Sequence, residues 1–586
     1  MTSETLTFRQ ETGPVYTVEN ECQDCYKCVR HCHCKAIRIV NGKASVIRDA
    51  CVSCGQCVKV CPAHAKRIRS GLPRLRQLLT SGEPIYASIA PSWVGYFPGI
   101  SIGELSEALH RLGFAGVSET AHGAQVVSAY TGEYLRHDHY SLVISSACPA
   151  CVDYIRKYHP EFTNRIMPFT SPVLAHCKLL KKEYGENAKV VFFGPCAAKK
   201  NEADRNENLL TLALTFSDLD ELLSDDHVIF DGTTAPLALG PAQEGRFYAI
   251  EGGMNDTLRD GEKNIRYISV SGLDNLAQML SSWHEDADTA NARTIFIEAL
   301  ACNGGCINGP AMPQHGASLD TIARTDCTAS LETSKLDEKA NETPIESVFE
   351  SDAMRVEEPS DEELKAALAR VGKFSKADEL NCGACGYNTC RDFARALIQN
   401  KAEEAMCHTF LRKNSQRTSN ALIKYIPAAV VIVDENQTIV ECNRTFATMV
   451  DMGDVFDTLG NLSTIAIANT MPLLEELFSS VIANGGEIEK YNQKFNDRII
   501  NLSVFSIARG KYAGAVVQDV TRSELHREQI AEKAREVIRK NVITVQQVAR
   551  LFGEHVAETE IMLNEIAGTY EVHTGTGGTG EGKNGI

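Results

Sequence analysis

The chain has 586 residues, too many for one hydrophobic core, and typical domain sizes predict about three to five units. A hydrophobic fraction of 43% with 23% charged residues is typical of a globular, soluble protein. The formal net charge of −17 argues against nucleic acid as a partner, because phosphate backbones attract basic surfaces. The first residues lack the segments of a signal peptide, and no apolar run approaches the roughly 18 residues of a membrane helix. We therefore expect a cytoplasmic protein that contacts neither nucleic acid nor membrane.

The 21 cysteines are the most unusual feature of the composition. In a protein without an export signal, spaced cysteines are more often metal ligands than disulfide partners. Sixteen of them fall into spaced motifs, and the other five are interpreted as buried small residues or free thiols. Cys151, three residues from Cys148, has the alternative of a role near a metal site. The five are Cys34, Cys151, Cys177, Cys327 and Cys442.

Two successive runs of four cysteines lie between residues 19 and 66. Within each run the cysteines are separated by two, two and three residues, which is the doubled pattern of bacterial two-cluster ferredoxins. In that pattern the fourth cysteine of each run ligates the cluster of the other run. Zinc is disfavoured, since zinc sites do not need eight cysteines in a crossed arrangement. The predicted 4Fe-4S ligand sets are Cys22, Cys25, Cys28 and Cys61, and Cys51, Cys54, Cys57 and Cys32.

From about residue 80 to 320, apolar runs alternate with stretches of helical periodicity, which predicts an α/β domain. Three runs have the continuous apolar character of strands in a parallel sheet: 142–144, 190–193 and 295–297. A cysteine motif follows each of them. Open α/β sheets bind ligands beyond the carboxyl ends of their strands, and thiolates are the soft ligands of iron clusters. We therefore expect four of these cysteines to meet at one iron–sulfur centre, with Cys302 and Cys306 supplying two.

These three segments resemble the active-site signatures of the FeFe-hydrogenases. The family pattern reads Thr-Ser-Cys-Cys-Pro, then Met-Pro-Cys-x-x-Lys-x-x-Glu, then Glu-x-Met-x-Cys-x-x-x-Cys. The resemblance covers about the first 400 residues. It implies an H-cluster, a 4Fe-4S cube that shares one thiolate, here that of Cys306, with a diiron unit carrying carbon monoxide, cyanide and an azadithiolate bridge. The residues at matching positions are Cys148, Cys196, Lys199, Glu202, Glu298, Cys302 and Cys306.

The resemblance also implies roles for polar residues near the cluster. Lys199 follows Cys196 by three residues, where the family uses an ammonium to donate to an anionic cyanide ligand. Glu202 and Glu298 are then nearby carboxylates that orient or neutralise, with ordinary helix or strand-end acids as the alternative. Ser92 follows a predicted strand and resembles the family's second donor to cyanide, although serine is also a common turn residue.

One departure from the family pattern bears directly on turnover. Catalytic members have a cysteine immediately before the first cluster ligand, and its thiol passes protons to the bridging dithiolate. The residue at that position here is Ala147, which has no exchangeable proton. Positioned proton transfer contributes roughly 10²–10⁴-fold to a rate, so this route is lost. Such departures are typical of the sensory FeFe-hydrogenases, and a different proton route through water, Ser145 or Cys151 is the alternative.

Other departures affect the outward proton relay and the packing of the diiron unit. The stretch Gln125–Thr131 has no carboxylate where the family carries paired glutamates, and Met167 stands where it carries a serine. Gly194 and Leu300 replace the methionines of the second and third signatures. We expect these changes to alter the surroundings of the diiron unit.

A further cysteine motif follows a polar connector predicted over residues 321–360. Ser360 and Glu363 form a capping box that predicts a helix start. The motif then reads Cys382-x2-Cys385-x4-Cys390-x16-Cys407, with a helix predicted from Arg391 to Met406, and resembles a single 4Fe-4S domain. Zinc is the less favoured metal.

The segment from about residue 421 to 521 resembles a PAS domain, a mixed α/β module used for sensing, dimerisation or relay. A hairpin with its turn at Glu435-Asn436 opens it, and residues 514–521 resemble its closing strand and exit signature. No residue demands haem or flavin, so an empty, protein-binding PAS domain is expected. A long helix with an apolar stripe follows, which needs a second copy in a coiled coil or another protein as its partner. No kinase region follows, so any output is expected to act in trans.

The sequence thus predicts a multidomain α/β protein with three 4Fe-4S clusters and an H-cluster. The leading hypothesis is a slow, regulatory iron-only hydrogenase that binds H2 and signals through the third cluster and the PAS domain, as a homodimer joined by the PAS domain and C-terminal helix. The alternatives are a catalytic hydrogenase that exchanges electrons with a soluble carrier, and a hydrogenase-like iron–sulfur scaffold without a diiron site. The predicted parts are 1–78 two-cluster ferredoxin domain, 79–320 H-cluster domain, 321–360 linker, 361–415 single 4Fe-4S domain, 416–521 PAS domain, 522–570 signalling helix and 571–586 disordered tail.

Overall fold

A computed structural model describes residues 13–137, 141–258, 264–284, 294–313, 319–328, 343–354 and 358–551. The chain divides at residue 412 into two compact units. Among the described residues, none of the helices combines the length and the apolar character needed to cross a bilayer.

The first module of unit 1 consists of two short antiparallel strand pairs and two one-turn helices. Strand β1 pairs with β4, and β2 pairs with β3. Each one-turn helix lies inside a cysteine run, and the two runs have the same backbone course, with left-handed residues at three matching pairs of positions: Asp24 and Ser53, Tyr26 and Gly55, Lys35 and His64. The elements are β1 Val15–Thr17, α1 Lys27–Arg30, β2 Ile37–Val40, β3 Lys43–Val46, α2 Gln56–Lys59 and β4 Lys66–Ile68.

The next part of unit 1 alternates strands and helices, as the sequence predicts. The strands are β5 Ile85–Ile89, β6 Gly116–Glu119, β7 Leu142–Ile144, β8 Lys189–Gly194, β9 Leu212–Thr215, β10 Ile265–Ser271 and β11 Thr294–Leu300. The helices are α3 Leu72–Leu79, α4 Trp93–Tyr96, α5 Ile102–Arg111, α6 Ala121–His137, α7 Pro149–Tyr158, α8 Pro172–Tyr184, α9 Ala198–Arg205, α10 Phe216–Asp225, α11 Gly253–Leu258, α12 Leu273–Ser281 and α13 Leu319–Thr328.

These strands form two separate parallel sheets. One has the order β6-β5-β8-β9 and the other the order β10-β11-β7. The three runs predicted as buried strands are confirmed, since they lie in β7, β8 and β11. Their side chains are almost completely buried because helices cover both faces of a parallel sheet. The carboxyl ends of these strands therefore carry the cysteine motifs from two sheets toward one region.

The polar connector predicted over residues 321–360 is partly built into this fold. Helix α13 occupies its start, and Ile345 is completely buried. The Thr170 backbone N–H donates to the Ile345 carbonyl, and Ser347 donates to Pro168. The Ile345 side chain packs with Phe169 and Ala175, so this part of the connector is anchored to the fold.

A small helical module ends unit 1, and its predicted helix over residues 391–406 is too long. Helix α15 ends at Ile398, and a short 3-10 turn at Glu404–Met406 precedes Cys407. The break follows from Asn400, whose left-handed φ of 53° interrupts the helical hydrogen bonds. The capping box predicted at Ser360 and Glu363 is confirmed. The helices are α14 Asp361–Arg370 and α15 Cys390–Ile398, and α16 His408–Tyr425 leads into unit 2.

Unit 2 is built around a five-stranded antiparallel sheet in the order β13-β12-β16-β15-β14. The hairpin predicted around Glu435-Asn436 is confirmed by the pairing of β12 with β13. Four exposed apolar side chains, Ile530, Val537, Ile538 and Val542, lie on the last helix. The end of the predicted signalling helix beyond residue 551 and the predicted tail lie outside the described residues. The elements are β12 Ala429–Asp434, β13 Ile439–Cys442, α17 Arg444–Met449, α18 Gly453–Leu459, α19 Glu475–Asn484, β14 Glu487–Phe495, β15 Arg498–Ala508, β16 Tyr512–Asp519 and α20 Thr521–Leu551.

The close approach of α6 and α8 generates a stability prediction. A Cβ atom on Gly123 would lie 2.0 Å from the Pro172 carbonyl oxygen and 2.6 Å from the His176 backbone nitrogen. We expect Gly123→Ala to lower the free energy of unfolding by about 3 kcal/mol, because backbone must move to admit the methyl group. Gly132 on the same helix is the control: its nearest neighbour would be 3.9 Å away, so Gly132→Ala should stabilise by about 0.8 kcal/mol. Anaerobic urea unfolding followed by circular dichroism measures both, and equal effects would contradict the packing argument.

Candidate metal centre

A small cavity lies where strands β7, β8 and β11 end. Its volume is about 30 Å³, and five cysteine side chains line it together with small residues such as Ala150 and Gly309. The structure thus brings together the four cysteines of the three signature segments. It adds one from the first module of unit 1, residues 15–68, which we call the ferredoxin-like module. The five are Cys54, Cys148, Cys196, Cys302 and Cys306.

A second cavity of about 100 Å³ adjoins the first. Cys148, Cys196 and Cys306 line both cavities, whereas Cys302 lines only the smaller one. The wall of the larger cavity is mostly apolar and carries most of the candidates that the resemblance placed near a diiron unit, whereas Glu202, Met167 and Gly194 do not line it. The lining includes Pro91, Ser92, Thr120, Ala147, Phe192, Lys199, Tyr248, Met254, Glu298 and Leu300.

Burial changes how readily the cysteines ionise. It raises the pKa of Cys196 to about 11 and that of Cys306 to about 12. Cys148 is the exception, because a hydrogen bond from the Cys151 thiol lowers its pKa to about 6 against the opposing effect of burial. Burial raises the pKa of Cys151 itself, so this completely buried thiol is a donor behind the cavity wall. Several buried thiolates in one apolar cavity require a positively charged group, which is the condition that iron satisfies.

Lys199 is held at the cavity wall by two partners. Its Nζ donates to Glu202 Oε2 at 2.7 Å and to Ser171 Oγ at 2.9 Å. The Lys199 and Glu202 side chains are each only 11% exposed, so the carboxylate balances the buried ammonium. Sequence reasoning missed Ser171, which precedes Pro172 at the start of α8 and has the pattern of an N-cap. Its side chain makes no capping bond, because it accepts from Lys199 instead.

Ser92 has the clearest requirement for a ligand. Its hydroxyl is completely buried and has no hydrogen-bond partner among the described residues. It does not cap the one-turn helix α4 either, so the turn-forming alternative does not account for it. A buried hydroxyl without a partner costs about 1–3 kcal/mol. An acceptor inside the cavity would satisfy it, and this observation fits a cofactor with polar ligands.

Glu298 lies on β11 and is 2% exposed. Its carboxylate accepts from the Met254 backbone N–H at 3.1 Å and from Ser269 Oγ at 3.0 Å. Burial raises its pKa to about 7. The strand-end alternative is therefore too simple: Glu298 is a buried, hydrogen-bonded acid in the wall of the larger cavity.

The residues that depart from the family pattern also lie at this wall or behind it. Ala147 presents a methyl group to the larger cavity. Met167 is 1% exposed and belongs to the buried cluster against which Ala147 packs. Gly194 has no room for a side chain, since its Cβ would lie 2.4 Å from Phe192 Cζ, so the Phe192 ring fills that space. Leu300 borders both cavities.

The ferredoxin-like module brings each crossed cysteine set together. Another small cavity, of about 20 Å³, is lined by the whole first set, Cys22, Cys25, Cys28 and Cys61. In the second set, burial raises the pKa of Cys57, and Cys54, Cys32 and Cys51 raise it further. Among the described residues, no three His, Cys, Asp or Glu side chains stand in an arrangement that would hold a single metal ion.

The last cysteine motif is brought together in part. Burial raises the pKa of Cys385, and the neighbouring thiols of Cys407 and Cys382 add to the effect. Cys390 begins α15, where its backbone N–H donates to Asn381 Oδ1 at 2.7 Å and its side chain packs with Leu364 and Ala394.

The cavity of five cysteines predicts the effect of removing one thiolate. We expect Cys302→Ala to lose about four iron atoms per chain, because one 4Fe-4S cube needs all of its cysteine ligands. Cys177→Ala is the matched control, since this thiol is completely buried in α8 and lines neither cavity. Iron and sulfide analysis of anaerobically purified protein measures both. An unchanged iron content in Cys302→Ala would contradict the assignment.

Comparison with known proteins agrees with this geometry. Residues 83–310 match the family "Iron only hydrogenase large subunit, C-terminal domain", residues 44–67 match "4Fe-4S binding domain", and residues 378–408 match "Putative Fe-S cluster". Iron hydrogenase 1 of Clostridium pasteurianum is 24% identical over 42% of this chain and 53% of its own length. Subunit HndD of the NADP-reducing hydrogenase of Solidesulfovibrio fructosivorans is 25% identical over 43% and 52%. The chain thus spans about half the length of these curated relatives.

A solved FeFe-hydrogenase structure from Chlamydomonas reinhardtii is matched over 49% of this chain and 100% of its own, at 15% identity and a TM-score of 0.38. Residues 83–310 form an iron-only hydrogenase large-subunit domain, and the chain is an iron–sulfur protein similar to the FeFe-hydrogenases.

Proposed function

We propose that this protein is a hydrogen-binding FeFe-hydrogenase of low turnover that acts as a hydrogen and redox sensor. The observation that carries the proposal is the methyl group of Ala147 in the wall of the larger cavity, at the position where catalytic relatives carry a proton-transferring thiol. A methyl group neither donates nor accepts a proton. The site retains the residues for holding an H-cluster but lacks the group that speeds turnover.

The two adjoining cavities support an H-cluster. In this proposal Cys148, Cys196, Cys302 and Cys306 hold the cube in the smaller cavity, and Cys306 provides the shared thiolate at the boundary with the larger one. The geometry alone does not single out Cys306, because Cys148 and Cys196 also line both cavities. When bound, the cluster supplies the iron centre at which hydrogen is split heterolytically.

The protein supplies hydrogen-bond donors in the larger cavity. Lys199 and Ser92 approach it from different segments, an ammonium and a partnerless hydroxyl. Both suit anionic cyanide ligands, since a charge-assisted bond is stronger than a neutral one. Glu202 orients Lys199 through its 2.7 Å contact and keeps the buried charge balanced.

Neighbouring cysteine sites offer a route for electron transfer in this proposal. Cys54 belongs to the second ferredoxin-like set and lines the smaller cavity, which brings that set next to the cube. The Cys382–Cys407 motif ends at the residue before α16, the helix that continues into unit 2. We propose that the redox state of a third 4Fe-4S cluster there biases unit 2, a PAS domain that signals in trans. The exposed apolar side chains of α20 suit pairing with a second copy.

A catalytic hydrogenase that exchanges electrons with a soluble carrier is the second candidate, and Glu298 favours it. This acid lies in the cavity wall and is hydrogen-bonded to the partly exposed Ser269, so it provides a titratable group that Ala147 lacks. The two candidates differ in which residue limits the rate.

Turnover of the fully matured protein separates these candidates. If the missing thiol limits the rate, Ala147→Cys should raise hydrogen turnover by roughly 10²-fold or more. Ala124→Cys is the matched control, since it adds a thiol to another part of the same wall and should give no comparable gain. If Glu298 already carries protons at ordinary speed, Ala147→Cys should change little and Glu298→Gln should abolish turnover.

Infrared spectroscopy of the same samples tests the cofactor itself. Carbonyl and cyanide bands are expected from protein produced with the diiron maturation machinery. Their absence would leave the scaffold alternative, a protein that holds only cubes.

A further inference from the structure

The small helical module at residues 361–412 packs on the ferredoxin-like module. Apolar side chains of both modules form one buried cluster, with Val29, Ile37 and Ile39 on one side and Tyr387, Phe393, Leu397 and Met406 on the other. Thiols of both modules, including Cys28, Cys32, Cys385 and Cys407, belong to this cluster or border it. The two modules therefore share a core.

Polar contacts at this interface involve the backbone. The Ile39 N–H donates to the Lys401 carbonyl at 3.0 Å, and the Asn41 and Gly42 N–H groups donate to the Glu403 carboxylate at 2.5 and 3.2 Å. Each of these contacts joins the β2–β3 hairpin to the segment just before Cys407. These hydrogen bonds fix the position of the small helical module on the ferredoxin-like module.

The two cysteine loops lie close together at Gly386. Its φ is +91°, and a Cβ atom there would lie 3.1 Å from Val29 Cβ and 3.2 Å from the Arg30 backbone nitrogen. Gly386 directly follows Cys385, and Val29 directly follows Cys28. A glycine is required because the loops carrying two cysteine sets are in backbone contact at this point.

Lys35 places a positive charge between these loops. Its Nζ donates to the Val29 and Arg30 carbonyls at 3.0 and 3.1 Å and to the Gly386 carbonyl at 3.1 Å. The ammonium also lies 5.8 Å from the centre of the Tyr387 ring. All three donors of the ammonium are used, two within its own module and one across the interface.

The internal repeat of the ferredoxin-like module provides a comparison. Lys35 follows Cys32 by three residues, as His64 follows Cys61, and both have a left-handed backbone, with φ of 45° and 52°. The Lys35 N–H donates to the Cys32 carbonyl and the His64 N–H donates to the Cys61 carbonyl, each at 3.2 Å. His64 is exposed, so the turn itself does not require a cation. The cation occurs in the repeat that faces the second module.

We propose that Lys35 is a positioning residue that couples the reduction of the clusters in two iron–sulfur modules. Its ammonium ties the Cys382–Cys407 loop to the ferredoxin-like loop and stabilises the added negative charge when a cluster on either side is reduced. The third cluster then exchanges electrons with the ferredoxin-like clusters. This inference rests on the proposed clusters. The physical basis is that a charge at a half-buried interface acts on its neighbours more strongly than one in water.

A redox titration monitored by electron paramagnetic resonance tests the charge. We expect Lys35→Met to lower the ratio of reduced to oxidised third cluster about tenfold at a fixed potential, which is a shift of about 59 mV for one electron. Lys35→Arg, which retains the charge, should preserve most of the parent ratio. His64→Met is the matched control and should leave the ratio of the third cluster unchanged. Equal behaviour of Lys35→Met and His64→Met would overturn the proposal.

A second variant tests the loop contact independently of the charge. Gly386→Ala inserts a methyl group between the loops, and we expect it to increase amide hydrogen exchange at residues 383–387. We also expect it to lower the ratio of reduced to oxidised third cluster, as Lys35→Met does. Unchanged exchange and potential in Gly386→Ala would also overturn the proposal. If the parent protein shows no 4Fe-4S signals at all, the proposed clusters fail. If the signals are present and Lys35 has no effect on them, only this inference fails.

Discussion

The convergence of buried thiolates at the ends of parallel strands is the constraint on which the rest of unit 1 depends. Strands β7 and β11 belong to one sheet and β8 to the other, so the cavity exists only when the two sheets abut. Burial makes most of these thiols hard to ionise. A cluster of iron reverses that cost, because it binds the ionised form and neutralises it. Folding of this region and metal binding are therefore expected to support each other.

The wall of the larger cavity combines polar side chains with purely apolar residues at two departures from the family pattern. Lys199 and Ser92 line the space with polar side chains, whereas Ala147 and Leu300 contribute only carbon. The Phe192 ring occupies the room that a side chain at Gly194 would need. Our proposal of low turnover depends on the methyl group of Ala147, because proton movement needs exchangeable hydrogens.

The ferredoxin-like module contacts both the smaller cavity and the small helical module. Cys54 belongs to the second cysteine set of the ferredoxin-like module and lines the smaller cavity. Lys35 joins the first cysteine run of that module to the Cys382–Cys407 motif. The internal repeat makes the two cysteine runs nearly alike in backbone, yet their surroundings differ. Among the described residues, the Lys35 side chain donates to the Gly386 carbonyl of a second cysteine loop, whereas the His64 side chain is exposed.

Local patterns in the sequence determined the cysteine sets, the buried strands, the capping box at Ser360 and the hairpin of unit 2. Each of these depends on residues close together in the chain, where spacing and apolar character act directly on the backbone. The tertiary structure alone decided that Cys54 lines the smaller cavity, that Ser171 accepts from Lys199, and that Lys35 lies between two cysteine loops. It also buried Ile345 within a polar connector. These outcomes depend on packing between segments far apart in sequence, and a spacing rule contains no information about which distant surface a side chain will meet.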